Sequence, residues 1–219
     1  MRLIFSLLIG CFVGVYSDAS TSTVFDFESI AVPQGSPRVN FTNPLTITQD
    51  GFSMTISHEN DVVFSVNALE GVPLFNAQFE SQALSAFNGL NGATMEGAFI
   101  LDFDQTLNGI AVEMGDFGDE IDDLVLQAFD GIGGTGNLLA SDSGTLPQGG
   151  NTFGFETLSV NVDGIRSVRM IGGGTNFPNS VFYDNIVVTA IPEPSACVLL
   201  LLGSTVLATR RRTRFQGIG

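Results

Sequence analysis

The chain contains no lysine and no tryptophan, and its single histidine is His58. All eight basic residues are arginines, against 23 acidic ones, for a formal net charge of −15. Such a chain has no basic surface to neutralise phosphates, which excludes a nucleic acid partner. One histidine excludes a His-rich zinc centre. Only two cysteines occur, Cys11 and Cys197, and both lie in apolar terminal runs. The body between them therefore has neither a disulfide nor thiol chemistry. Charged residues make up only 14% against 44% hydrophobic ones, which excludes a highly charged disordered chain. At 219 residues the chain is long enough for one domain with a sizeable core and short for two.

Both ends read as targeting segments rather than fold. Met1-Arg2 precedes an apolar run, Leu3 to Tyr16, with the small residues Ser17 and Ala19 after it. This is the pattern of a cleaved secretory signal over residues 1–19. A lipoprotein signal at Leu8-Ile9-Gly10-Cys11 competes with it. At the other end, Ile191-Pro192-Glu193-Pro194-Ser195 leads into an apolar run, Ala196 to Thr209, and then Arg210-Arg211-Arg212-Thr213-Arg214. The prolines stop the preceding strand and hold an extended linker. The run is expected to form a single transmembrane helix, with the arginines cytoplasmic under the positive-inside rule. At about 14 residues it is short against the roughly 20 of a stable span, which suits a temporary anchor.

Pro192, Glu193 and Pro194, the short apolar helix and the arginine cluster Arg210, Arg211, Arg212 and Arg214 together resemble the PEP-CTERM sorting signal. That signal occurs on exported proteins of many Gram-negative bacteria. A tail of this kind is also labelled an ice-binding protein C-terminal domain, a label that says nothing about ice. The resemblance implies an exosortase-type membrane protease as partner and cleavage near the motif. It also implies a transient membrane anchor and delivery to the cell surface or extracellular matrix, often alongside exopolysaccharide. A plain membrane anchor is the alternative.

Residues 20–190 contain three basic residues, Arg38, Arg166 and Arg169, and nearly all the acids. Such a surface repels itself and attracts divalent cations. Short β-type runs recur between Gly, Asn, Asp and Pro clusters. They are expected at 23–27, 45–48, 52–57, 62–66, 96–103, 109–114, 124–129, 137–140, 155–160, 167–171 and 181–189. In Phe52-Ser53-Met54-Thr55-Ile56-Ser57 apolar residues alternate with hydroxyls. Residues 73–87 read as a helical turn or an irregular excursion. The glycine runs 131–136 and 172–174 read as hairpin tips. The expected fold is all-β, a β-sandwich of jelly-roll type.

Catalytic chemistry has little to work with. No serine carries a nucleophile motif, and His58, beside Glu59-Asn60-Asp61, reads as a surface turn residue. A carboxylate pair for a secreted hydrolase stays open because acids are abundant. Five acids fall within Asp116-Phe117-Gly118-Asp119-Glu120-Ile121-Asp122-Asp123. Hard oxygens at Asp116 and Asp119 suit calcium, and a solvated acidic turn is the alternative. Phe25-Asp26-Phe27-Glu28 and Phe182-Tyr183-Asp184-Asn185-Ile186-Val187-Val188 resemble the first and last strands of carbohydrate-binding-module-like jelly rolls. That resemblance implies a structural calcium held by Glu28 and Asp184, with Asp26 less involved. A simple turn or bulge at Asp184-Asn185 is the alternative. The expected role is non-enzymatic: a structural or adhesive surface protein linked to extracellular polysaccharide. The rivals are a calcium-dependent glycan-binding module and a carboxylate hydrolase.

Overall fold

A computed structural model of the chain describes residues 20–34, 36–69, 81–86, 96–116, 120–148 and 153–190. The expected leader, the expected sorting tail with Pro192, Glu193, Pro194 and its arginines, and Asp119 lie outside the described residues. Ser20–Ile191 forms one compact unit. Its strands are β1 (Thr21–Phe25), β2 (Arg38–Phe41), β3 (Leu45–Gln49), β4 (Phe52–His58), β5 (Phe64–Ala68), β6 (Gln82–Ser85), β7 (Phe99–Asp116), β8 (Asp122–Phe129), β9 (Leu138–Leu146), β10 (Gly154–Gly173) and β11 (Phe182–Ala190). No helix occurs among the described residues, and every pairing is antiparallel.

Two long strands organise the rest. The first part of β7, Phe99–Phe103, lies between β4 and the end of β10. Its later part, Leu107–Asp116, lies between the start of β10 and β11. Between the two parts Asp104, Gln105 and Thr106 are exposed. β10 shifts register over the same level, between Asn161 and Ser167. Bulges of this kind bend strands and let them serve two sheet surfaces. One half of the sheet thus runs β3-β4-β7-β10-β8-β9. The other runs β2-β5-β6-β11-β7-β10, with β1 also on β11.

Period-2 burial shows why the sheet folds onto itself. In β4, Phe52, Met54, Ile56 and His58 are buried while the residues between them are half-buried. In β8, Asp122, Leu124, Leu126 and Ala128 are buried in the same rhythm. Buried residues of both halves, from Phe25 and Met54 to Val168 and Val188, form one continuous cluster. A single sheet with one apolar face can bury it in one core only by closing face to face, an arrangement consistent with a sandwich. Phe99 stands at the centre, fully buried. Its ring meets those of Phe64, Tyr183 and His58 edge-on at 5.5, 5.4 and 5.2 Å. Such aromatic pairs add to plain area burial.

The structure departs from the sequence expectation in several places, one of them at 172–174, read as a hairpin tip, where Gly172 and Gly173 are residues of β10 paired with Leu124 and Asp123 of β8. The runs expected at 96–103 and 109–114 are one strand, and so are those at 155–160 and 167–171. β2 was not anticipated. Gln82–Ser85, inside the stretch read as a helical turn or excursion, is a strand paired with β5 and β11. His58 is 2% exposed rather than a surface turn residue, because it is the last inward position of β4. Glycines 131–136 do form a hairpin tip, joining β8 to β9. There Gly134 adopts φ +64° and its amide donates to Ser167 Oγ at 3.0 Å.

Replacing Phe99 by Ala is expected to destabilise the full chain by about 3–5 kcal/mol in urea unfolding. Phe99→Leu, which keeps most of the volume, is expected to cost clearly less. Equal losses for both variants would mean that the ring contacts, and not the volume that Phe99 fills, account for its contribution.

Candidate functional site

Two buried carboxyl groups stand out, Asp122 and Asp184, each 0% exposed. They sit on β8 and β11, on either side of Tyr183.

Asp184 is placed by a bulge in β11. Asp184 pairs with Glu113, and after one extra residue Val187 pairs with Ala111. Asn185 absorbs the irregularity at φ 45°, a left-handed conformation that asparagine tolerates. Its side-chain amide donates to Glu113 Oε2 at 3.0 Å. The bulge resets the alternation, so Tyr183 turns into the core and Asp184 to the face it shares with Glu113. Beside it the chain leaves β1 through Phe27 at φ 60°. Here the Glu28 amide donates to Asp26 Oδ1 at 3.2 Å, and Glu28 receives the Ser81 amide at 2.9 Å and the Ser81 hydroxyl.

Burial pushes the Asp184 carboxyl up to about 9, and the charges of Glu28, Asp26 and Glu113 add to this. The Asn185 backbone amide, short of hydrogen-bonding geometry, pulls the other way. Neither Asp184 oxygen has a hydrogen-bond partner. An unpaired buried carboxylate is costly, so the group needs either a proton or a cation. The fold thus brings Glu28, Asp26 and Asp184 into one electrostatic neighbourhood. Among the described residues, however, no three His, Cys, Asp or Glu side chains converge to hold a metal. A calcium at Asp184 would need backbone oxygens and water for the rest of its shell.

Asp122 opens β8 and Asp116 closes β7. Burial raises the Asp122 carboxyl to about 7, with further increases from the charge of Asp116 and a hydrogen bond to it. Ser180 Oγ donates to Asp122 Oδ1 at 3.3 Å and opposes the shift, while Oδ2 has no partner. The hydroxyl of Tyr183 is also buried without a partner, and burial, then the charge of Asp122, raise its pKa. Gly172 makes room for this phenol: a Cβ there would lie 3.0 Å from Tyr183 Oη and 2.9 Å from Val181. Nearby, Glu120 accepts the amides of Asn176 and Phe177, and these bonds hold its carboxyl below the usual range. Asp122, Ser180 and Tyr183 were not singled out as site residues from the sequence. The signal was present, because Asp122 shares parity with Leu124, Leu126 and Ala128 and therefore points inward.

Among the described residues His58 makes no catalytic pair. Its Nδ1 receives the Asn60 amide at 3.3 Å, and its Nε2 lies 3.3 Å from the Asn179 side-chain amide. Burial lowers its pKa and Glu59 partly restores it. A cleft of about 350 Å³ opens beside Ser81, and its described lining, which includes Pro33, Gln34 and Gln82, contains no aromatic ring.

Asp184 generates a pH prediction in metal-free solution. Its folded pKa lies above the unfolded one, so its stabilising contribution is complete below 3.8 and is lost as pH rises to about 9. In chelator, the Tm of Asp184→Asn is expected to fall less than that of the wild type between these limits, and to exceed it at pH 8. Parallel Tm profiles for the two proteins would contradict the assignment.

No protein-family model and no curated protein matches the chain. Among solved structures it is similar to a family 29 carbohydrate-binding module from Piromyces equi, with 9% identity over 78% of this chain and 91% of that one, and a TM-score of 0.39. It is also similar to the K2 cleaved adhesin domain of Lys-gingipain, with 13% identity over 77% of this chain and 99% of that one, and a TM-score of 0.44.

Proposed function

We propose that the chain is an exported, non-catalytic domain with a jelly-roll sandwich as its body, sorted by an exosortase-type protease to the cell surface or matrix. There it serves a structural or adhesive role linked to exopolysaccharide. The observation that carries this reading is the sequence of the tail, in which Pro192-Glu193-Pro194, an apolar run and an arginine cluster follow one another. The pairing of the body's ends supports it. Thr21 stands opposite Ala190, so the first and last strands close the body just inside both proposed processing points. Removal of residues 1–19 and of the tail would leave every described strand intact.

The sorting reading has a direct test in a Gram-negative host with and without its exosortase. Mass spectrometry of the surface fraction is expected to show a chain ending near Pro192–Pro194 only when the exosortase is present. Replacing all three motif residues by alanine is expected to keep the chain in the membrane fraction. An intact C-terminus at the surface in both hosts would refute the reading.

A second reading, a calcium-dependent glycan-binding module, is favoured by the orphaned Asp184 carboxyl beside Asp26, Glu28 and Glu113. It predicts co-sedimentation with the host's own exopolysaccharide in calcium that disappears in chelator. Binding that ignores chelator, or none in either condition, would remove it. The hydrolase reading gains nothing from Asp116 and Asp122. The two groups are neighbours in a buried setting, whereas glycoside hydrolysis needs its carboxyl groups about 5–9.5 Å apart around the sugar.

A further inference from the structure

Asp116 and Asp122 meet where the end of β7 and the start of β8 come together, with Ser180 reaching in from the segment before β11. Asp122 is fully buried and Asp116 is 9% exposed. Two carboxylates in contact and out of water cannot both stay charged without a positive partner. A shared proton would join one oxygen of each group. It would leave Asp122 Oδ2 and the Tyr183 hydroxyl still without partners in the interior. Buried polar groups are rarely left in that state.

From this geometry we infer that Asp116 and Asp122 bind one hard divalent cation of the calcium class, with Ser180 Oγ as a further oxygen. The cation's charge of +2 balances the two carboxylates. Calcium accepts six to eight oxygens at flexible angles, so water can complete the shell. One such water is suited to take the Tyr183 hydroxyl bond, and the gap at Gly172 leaves the phenol where it lies. Glu120 and Asp123 add negative charge that draws a cation toward the site. Asp122 and Ser180 are added here to Asp116 as ligands, and Asp119 lies outside the described residues. The cation would tie β8 to the segment before β11, which Glu120 already grips through Asn176 and Phe177. This inference depends neither on the sorting reading nor on a calcium at Asp184.

The absence of tryptophan makes the test specific. Terbium(III) substitutes for calcium, and its emission is sensitised by a nearby phenol when tyrosine is excited. The full chain has two tyrosines, Tyr16 and Tyr183. Titration of the full chain with terbium is expected to give saturable emission that calcium displaces. Tyr183→Phe is expected to abolish the emission while leaving calcium binding detectable by calorimetry. Asp122→Asn and, separately, Ser180→Ala and Asp116→Asn are expected to lose or weaken the emission, with far-UV circular dichroism confirming that each variant is folded. Asp184→Asn is expected to leave it in place. Three results would overturn the inference: no saturable emission, emission unchanged in folded Asp122→Asn, or emission lost in Asp184→Asn but kept in Asp122→Asn. The last would locate the metal at Asp184 and so support the calcium-dependent reading of that site instead.

Discussion

Strand β11 is the piece on which the body depends. It pairs with β7 along most of its length, with β6 at Phe182 and Tyr183, and with β1 from Ile186 to Ala190. Without it β1 would have no partner in the sheet, and β6 with its neighbours β5 and β2 would lose its link to β7. β11 also carries the Tyr183 ring into the core against Phe99 and, one residue later, the Asp184 carboxyl to the opposite face. The single bulge at Asn185 makes this double duty possible. Because β11 is the last described element in the chain, the sheet's longest-range pairing, β1 with β11, can form only when nearly all of the body is present. Such non-local pairing is paid for in loop-closure entropy before it contributes contacts.

The same strand gathers the electrostatic tension of the molecule. A chain with this excess of acid would be expected to keep every carboxylate in water, yet Asp122 and Asp184 are fully buried on either side of Tyr183. Each is pushed toward its neutral form mainly by desolvation, and neighbouring acids deepen the effect rather than relieve it. Arg169, the basic group with a described ion pair, is engaged by Glu59 at 2.7 Å and is not a cause of the shift at either buried acid. Relief therefore has to come from protons or from cations supplied by the surroundings. On the proposed reading, the extracellular side of the cell is a setting in which a divalent cation can meet that need.

Much of the β pattern was legible because period-2 alternation is a local property. β3, β4 and β8 could be read from their own residues, and so could the hairpin glycines 131–136. The joins inside β7 and β10 could not, since Asp104-Gln105-Thr106 and Asp163-Gly164 look like turns until the pairing shows strands bending through them. β2 and β6 have four residues each, too few for a pattern. His58 was misread because its polar followers Glu59-Asn60-Asp61 resemble a surface turn, although the rhythm Phe52, Met54, Ile56 already pointed it inward. The same rhythm in β8, Leu124, Leu126 and Ala128, points Asp122 inward, a signal that the sequence reading missed. Asp184 was reached through strand resemblance, but only the bulge at Asn185 explains why its side chain leaves the core face.

The central claim is that residues 20–191 form one compact unit, closed by β1 on β11. The most direct measurement compares the urea midpoint and slope of residues 20–191 with those of the full chain in detergent. The account predicts the same midpoint and the same slope for both, since no described strand lies outside the shorter chain. A lower midpoint, or a shorter chain that does not fold, would contradict it.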